Sequence, residues 1–205
     1  GTVQTKYAAG GILAHSLVCG RDRFRKGKVL DEKDIRQLIE FGYDEVVVAR
    51  LEDNDTEENL AAAKVAENIH FLAEPENFKK SIAFTGRVNI FASMTGIIVF
   101  DEENLIKANS IDNMITIATI PNYSQVTEGS IVATIKIISY GVIASNLETV
   151  ASLATGTIRL KRPKYLSAHL ITTKISKGTS DKSLNAIKKR TDSLGLSLSV
   201  NKDVS

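Results

Sequence analysis

The chain has 205 residues, of which 43% are hydrophobic and 24% charged, so its composition is that of a globular protein that can bury a substantial core. No stretch approaches the run of about 18 apolar residues that a membrane-spanning helix needs. The single cysteine, Cys19, excludes an internal disulfide and fits a reducing compartment. We therefore expect a cytoplasmic protein without a membrane segment.

Charge is unevenly distributed along the chain. From Arg159 onward there are 11 Lys/Arg and 3 Asp/Glu, whereas the preceding part carries 15 Lys/Arg and 21 Asp/Glu. This change predicts a domain boundary, with an N-terminal domain over 1–158 and a second unit over 159–205. The first domain divides further into possible lobes at 1–75 and 76–158. A basic surface that attracts an anionic partner and an ordinary solvated half-domain both explain the basic segment.

The first predicted elements are a strand within 10–20, a helix and a second strand. Asp31 and Asp34 have the spacing of a capping box at the start of the helix, and Gly42 is well placed to end it. The β-branched run at 44–51 predicts the second strand.

A second helix is predicted from Asp55, with Asp55 and Glu58 as an acidic variant of the capping box and Pro75 limiting its far end. The segment 86–96 lies between two glycines and predicts a short helix or turn. A buried strand at 97–100 follows it.

Further along, Asp101 is a candidate cap for a third helix. Strands are predicted at 114–120 and, as one long element, at 130–143. Ser145 and Glu148 match the capping box of a fourth helix. Because helices and strands are mixed rather than strictly alternating, the pattern predicts an α+β N-terminal domain.

After the charge boundary the pattern changes. A buried-type strand at 166–173 precedes a loop, a helix over 181–194 and a further strand at 196–200. A strand, helix and strand in this order predict the first βαβ-like piece of a doubly wound α/β domain.

The loop that opens this last unit is a candidate anion site. Backbone N–H groups at a helix N-terminus are unpaired and carry partial positive charge, and nearby lysines add to it. The candidate binding residues are Lys174, Lys177, Gly178, Thr179 and Ser180. An alternative is a solvated connection in which Asp181 caps the helix and fills the same space.

Arg87, in the "GRVNIF" stretch, is a further candidate for cofactor binding. Its guanidinium could clamp a phosphate or carboxylate with two hydrogen bonds. An exposed arginine near the start of a helix, with Asn89 satisfying local backbone groups, explains the stretch equally well.

Other chemistry finds little support in the sequence. His15, His70 and His169 lie far apart without partners at metal-ligand spacing, so no metal site is predicted. No catalytic motif is recognisable, and whether the chain is an enzyme stays open. Nucleic-acid binding is not expected, because Tyr165 is the only aromatic residue of the basic segment.

Four stretches, taken in order, resemble the N-terminal half of bacterial molybdopterin-binding proteins, which are related to the MoeA-type molybdopterin molybdenumtransferases. They are "AAGGILAHSL", "RKGKVLDEKDIRQLIEFGYDEVVVARLEDNDTEENLAAAKVAENI", "FTGRVNIFASMTGIIVF" and "IATIPNYSQVTEGSIVATIKIISYGVI". The resemblance covers most of residues 8–143.

The last 40 residues resemble the first strand, loop and helix of the MogA-like molybdopterin-binding domain. The resemblance implies a role in molybdenum cofactor biosynthesis, with molybdopterin or the molybdenum cofactor as ligand. The family's later Gly-rich acidic motif has no counterpart here, so we expect an incomplete cofactor site. The N-terminal part would then act as a scaffold or oligomerisation element, in a homo-oligomer.

The segment from "RKGKVL" to "VVVAR" also resembles small β-rich modules of the SAF type. This implies the alternative of a non-enzymatic module that binds a small molecule or another protein.

Overall fold

The computed structural model describes residues 1–71, 75–173 and 181–204. The five helices of these residues are α1 (Glu32–Glu40), α2 (Glu58–Phe71), α3 (Glu102–Ile111), α4 (Ala144–Ala154) and α5 (Asp181–Ser193). The strands are β1 (Thr2–Gln4), β2 (Ile12–Leu13), β3 (Leu17–Cys19), β4 (Asp22–Phe24), β5 (Glu45–Ala49), β6 (Asp55–Glu57), β7 (Phe78–Lys80), β8 (Arg87–Ala92), β9 (Gly96–Phe100), β10 (Ile115–Thr119), β11 (Gln125–Val126), β12 (Ile131–Ile137), β13 (Gly141–Ile143), β14 (Ile158–Lys161), β15 (Ser167–Thr173) and β16 (Ser197–Val204).

The protein has an α+β fold, as the mixed order of elements predicts. Its largest sheet has the antiparallel strand order β10-β12-β8-β7; α2 packs on β8 and β12, α3 packs on β10, and α4 packs on both helices. Smaller antiparallel sheets are formed by β1-β5-β2 and β11-β9-β14. Helices that cover a single face of an antiparallel sheet leave the other face to solvent.

The predicted capping box of α1 is confirmed. The Asp31 carboxylate accepts from the Asp34 N–H at 2.8 Å, and the Asp34 carboxylate accepts from the Asp31 N–H at 3.0 Å. Gly42 has a φ of +81° just after the helix, a conformation that glycine adopts without a steric penalty.

The second helix begins later than predicted, and the capping box of Asp55 and Glu58 is wrong. Asp55 lies in β6, which pairs with β13, and α2 starts at Glu58. The cap is supplied by Glu57, whose carboxylate accepts from the N–H groups of Asn59 and Leu60. Glu57, at the end of the paired strand β6, therefore takes the capping role that was expected of Asp55.

The short helix or turn predicted over 86–96 is wrong: the segment contains β8 and the first residue of β9. In β8 exposed and buried side chains alternate, with Val88 and Ile90 in the core and Arg87 and Asn89 on the open face. Cross-strand pairing on both sides of β8 outweighs the local signal of the flanking glycines.

The long strand predicted over 130–143 is interrupted. β12 ends at Ile137, and β13 begins at Gly141 and joins a different sheet. The capping box predicted from Ser145 and Glu148 is also wrong, because Ile143 occupies the N-cap of α4 without a side-chain hydrogen bond. Glu148 instead forms an ion pair with Lys64 of α2.

The described residues form two hydrophobic clusters. The first, here called the N-terminal core, runs from Ala8 to Val48 and includes Cys19 and Leu38. The second, here called the main core, runs from Ala61 to Leu160 and fills the space between the large sheet and its helices. The division into domains and lobes remains a prediction.

The last described segment contains a parallel strand pair, β15 and β16, with α5 between them along the chain. The predicted order of strand, helix and strand is therefore present. The Gln125 side chain contacts this segment through hydrogen bonds to Ser193 at 3.2 and 3.3 Å.

Candidate functional site

A cavity of about 250 Å³ opens where the N-terminal core meets the main core. Four separate stretches of chain meet there: the turn before Leu30, the start of α2, the turn before β8 and the segment that follows β12. The lining residues are Lys26, Gly27, Glu58, Thr85, Lys136, Ile138 and Tyr140.

One wall of the cavity is a two-residue hairpin turn. Phe84 and Arg87 exchange backbone hydrogen bonds of 3.1 Å, and the residues between them, Thr85 and Gly86, have φ values of +48° and +67°. Two successive positive φ values define a type I′ turn, which matches the twist of a hairpin. A Cβ on Gly86 would lie 2.8 Å from the carbonyl oxygen of Ile137, so the turn also needs a residue without a side chain.

Two lysines bring positive charge to the cavity. The Lys136 ammonium donates to the carbonyl oxygen of Thr85, and the Lys26 ammonium lies 5.4 Å from the centre of the Tyr140 ring. Within the described parts of the chain neither lysine forms an ion pair with a carboxylate. Both ammonium groups therefore give the lining of the cavity positive charge.

Glu58 adds a carboxyl group to the lining that these lysines share. Its partial burial raises its pKa, and the Glu57 carboxylate acts in the same direction, whereas the positive charges of Lys136 and Lys26 act to lower it. The Glu58 backbone N–H donates to the carbonyl oxygen of Tyr140 at 3.0 Å. Since the next two N–H groups of α2 are bonded to Glu57, the helix N-terminus offers little to an anion, and Lys26 and Lys136 are the cationic side chains of the lining.

Tyr140 connects the two cores beside the cavity. Its hydroxyl donates to the carbonyl oxygen of Ala14 at 2.9 Å, a contact across 126 positions of the chain. The interruption between β12 and β13 is what frees Tyr140 to reach this position.

Arg87 lies near the cavity but does not line it. It is exposed in β8, and its Nε donates to the Asn89 Oδ1 at 3.0 Å. Its partner in the neighbouring strand is Lys136, so the two cations share the open face of the sheet. Its role in cofactor binding stays a prediction.

The remaining site residues predicted from sequence lie outside the described residues. They are Lys174, Lys177, Gly178, Thr179 and Ser180.

The sequence pattern did not indicate the lysines of the cavity, and it indicated Glu58 only as a helix cap. The Thr85-Gly86 pair, between two strand-like runs, was the one local signal of the hairpin that shapes this wall. Lys26 and Lys136 are 110 positions apart, so only the tertiary fold brings them together.

The described residues contain no group of three or more His, Cys, Asp or Glu side chains that could hold a metal ion. His15 is exposed and stands apart from the cavity. Among the helices of the described ranges, none is long and apolar enough to cross a membrane.

Comparison with known proteins identifies one stretch of the chain. Residues 2–50 match a domain of unknown function, DUF8806. These residues contain the whole N-terminal core and the Lys26 turn of the cavity. Searches of curated proteins and of solved structures gave no significant match.

Proposed function

We propose that this chain binds a small anionic ligand of the molybdopterin type and serves as a non-catalytic component of molybdenum cofactor biosynthesis. The observation that carries the proposal is that Lys26 and Lys136, which are far apart in the sequence, line the same cavity. The class of ligand comes from the resemblance of residues 8–143 to bacterial molybdopterin-binding proteins.

The size of the cavity supports binding of one end of such a ligand. Sites that enclose a whole drug-sized molecule measure about 300–1,000 Å³, and this cavity is smaller, at about 250 Å³. A phosphate group with a few neighbouring atoms fits this volume. The rest of the ligand would extend over the open face of the sheet, where Arg87 is exposed.

Titration calorimetry with molybdopterin tests the proposal. Lys136→Ala should weaken binding at least about tenfold, because it removes a charge-assisted contact of about 1.5–3 kcal/mol. Lys33→Ala is the matched control, since it removes the same charge from an exposed position on α1. Equal binding by both variants would contradict the assignment of the cavity, and no binding by the unaltered chain would contradict the function.

The type of the last domain, the cellular location and the oligomeric state are also proposals. We infer that β15, α5 and β16 are the first piece of a doubly wound α/β domain of the MogA-like type, and that the parallel pairing of the strands supports this. We further propose a cytoplasmic homo-oligomer, supported by exposed apolar side chains such as Ile82 and Phe84, which are 92% and 71% exposed. Sedimentation analysis of the chain tests the oligomer.

A second candidate function is a non-enzymatic interaction module of the SAF type. It is favoured by the separate hydrophobic core of residues 8–48, which coincides with the matched domain. Expression of residues 1–50 alone tests this candidate. If the candidate is correct, the fragment should fold by itself and bind the same partner as the whole chain. An unfolded fragment would count against it.

A further inference from the structure

We propose that Glu58 makes the cavity selective for tetrahedral oxyanions that keep a proton, such as inorganic phosphate and the monoanion of a phosphate monoester, and against those that carry none, such as sulfate. The inference rests on the proposed function, because it assumes that an anionic group enters between Lys26 and Lys136. It adds the chemical identity of that group and the residue that selects it.

The first support is the mixed charge of the lining. A site that only attracted anions would need its lysines alone, yet Glu58 lines the same cavity as Lys26 and Lys136. A carboxylate repels a fully deprotonated oxyanion at this range, so its presence lowers the affinity for such ions. It accepts a hydrogen bond from an oxyanion that carries an O–H group, and a carboxylate that accepts such a charge-assisted bond stabilises the complex.

The second support is that the acceptor sites of the Glu58 side chain are open within the described ranges. In the described ranges its oxygens form no hydrogen bond or ion pair, although the side chain is half-buried. The neighbouring Glu57 differs, because its two oxygens accept from the backbone N–H groups and the side-chain amide of the first turn. Glu57 therefore has a capping role, whereas the acceptor sites of Glu58 remain open for a donor from the ligand.

The third support is the fixed position of the carboxyl group. Glu58 begins α2, its backbone N–H is bonded to Tyr140, and its Oε2 lies 3.0 Å from where a Cβ of Gly86 would stand. The Glu58 side chain therefore lies against the hairpin turn, and Lys136 is bonded to the same turn at Thr85. A fixed acceptor opposite two donors can distinguish ions that differ by one proton.

The charged and titratable groups that face Glu58 are Lys26, Lys136, Glu57 and the Tyr140 hydroxyl. The second ionisation of a phosphate monoester has a pKa of about 6, so both the monoanion and the dianion are available near neutral pH. Sulfate keeps no proton at this pH. The dianion of a monoester also keeps none, whereas inorganic phosphate keeps a proton in both of its forms. The comparison of the inorganic phosphate dianion with sulfate therefore isolates the proton while charge and shape stay similar.

The experiment measures binding of inorganic phosphate, methyl phosphate and sulfate to the whole chain by NMR titration near neutral pH. The unaltered chain is expected to prefer inorganic phosphate to sulfate by about tenfold or more, since a hydrogen bond to a charged group contributes about 1.5–3 kcal/mol. Methyl phosphate should be preferred to sulfate only in titrations repeated at about pH 6 or below, where its monoanion keeps a proton. Glu58→Gln should bind sulfate as well as phosphate, because its amide can donate to either ion.

The matched control is Glu102→Gln, which changes the first residue of another helix, α3, outside the cavity. It should keep the preference of the unaltered chain. Circular dichroism establishes that both variants fold.

Two results would overturn the inference and remain distinguishable. If the unaltered chain binds phosphate and sulfate equally, or if Glu58→Gln keeps the preference, the selective role of Glu58 is wrong while the anion site stands. If neither ion binds and Lys136→Ala leaves molybdopterin binding unchanged, the cavity is not an anion site and the proposed function loses its main support.

Discussion

The side-chain amide of Asn109 takes the place of a neighbouring strand for Ile117. Its Nδ2 donates to the Ile117 carbonyl oxygen at 2.9 Å, and its Oδ1 accepts from the Ile117 N–H at 2.8 Å. Ile117 lies in β10, the outermost strand of the large sheet. An unpaired outer strand is a template for association with other chains, and the asparagine satisfies its central backbone groups.

Asn109→Ala should lower the free energy of unfolding by about 1–2 kcal/mol, because two backbone groups lose their partners and partly exchange them for water. Urea denaturation measures the change, and faster hydrogen exchange at the Ile117 amide should accompany it. Lys107→Ala, which removes only an exposed ion pair on the same helix, should leave stability nearly unchanged. Equal effects of the two substitutions would contradict the role of Asn109.

Gly86→Ala should destabilise the protein more than Gly129→Ala does. Both glycines have positive φ values, +67° and +84°, but an added Cβ meets the Ile137 carbonyl oxygen only at Gly86. We expect a loss of about 1–2 kcal/mol at Gly129 from the left-handed conformation alone, and of about 2–4 kcal/mol at Gly86. Thermal unfolding of the two variants provides the comparison, and a Gly129 variant as unstable as the Gly86 variant would refute the steric argument.

Because of the Asp31 cap, the stability of the fold should decrease as the pH is lowered. The hydrogen bond from the Asp34 N–H is the largest factor that lowers the pKa of Asp31 below its usual value of 3.8. A carboxyl whose pKa is lower in the folded state stabilises the fold above its unfolded pKa, and that contribution is lost as the pH falls through the folded value. Melting temperatures measured from pH 7 down to about 2 should therefore fall less steeply in Asp31→Asn, whose amide still caps the helix.

Glu58 should show the opposite dependence. Burial raises its pKa above the usual 4.5, so the ionised carboxylate is less favourable in the folded chain than in the unfolded one. Its contribution to stability is fully present below pH 4.5 and is lost as the pH rises through the folded pKa. Glu58→Gln should accordingly melt at a higher temperature than the unaltered chain at pH 7. A lower melting temperature would show that the carboxylate is held by favourable contacts.

Cys19 should react slowly with thiol reagents in the native protein. Its side chain is 1% exposed within the N-terminal core, and burial, followed by the Asp22 carboxylate, raises its pKa above 9.0. Because the thiolate is the reactive form, modification requires opening of this core. Labelling with a chromogenic disulfide should therefore accelerate steeply with urea, and rapid labelling without denaturant would contradict the packing described for β3.

The sequence was most informative where the determinants are local. The capping box of Asp31 and Asp34 depends on residues three positions apart, and it defines α1 correctly. Runs rich in β-branched residues also predicted the strands over 44–51 and 114–120, which the structure contains as β5 and β10. The order of strand, helix and strand after residue 166 also follows from local sequence patterns, those typical of strands and those typical of helices.

Prediction failed where a distant strand decides the structure. Asp55 has the residue type of a helix cap, yet pairing of β6 with β13 extends it into a strand. The break after Ile137 arises because β13 pairs with β6 in a separate sheet, and no residue near the break indicates this in the sequence. The cavity was missed for the same reason, since Lys26, Glu58 and Lys136 become neighbours only when the two cores meet.

The position of the cavity gives a bound ligand a mechanical role. Lys26 follows Phe24 of the N-terminal core, and Lys136 lies between Ile135 and Ile137 of the main core. The anion that we propose, bound by both ammonium groups, would act as a removable cross-link between these two parts of the chain, which also meet through the hydrogen bond from the Tyr140 hydroxyl to Ala14. Binding to the native form alone stabilises both parts together, so saturation with ligand should sharpen the heat-absorption peak of unfolding into one cooperative event.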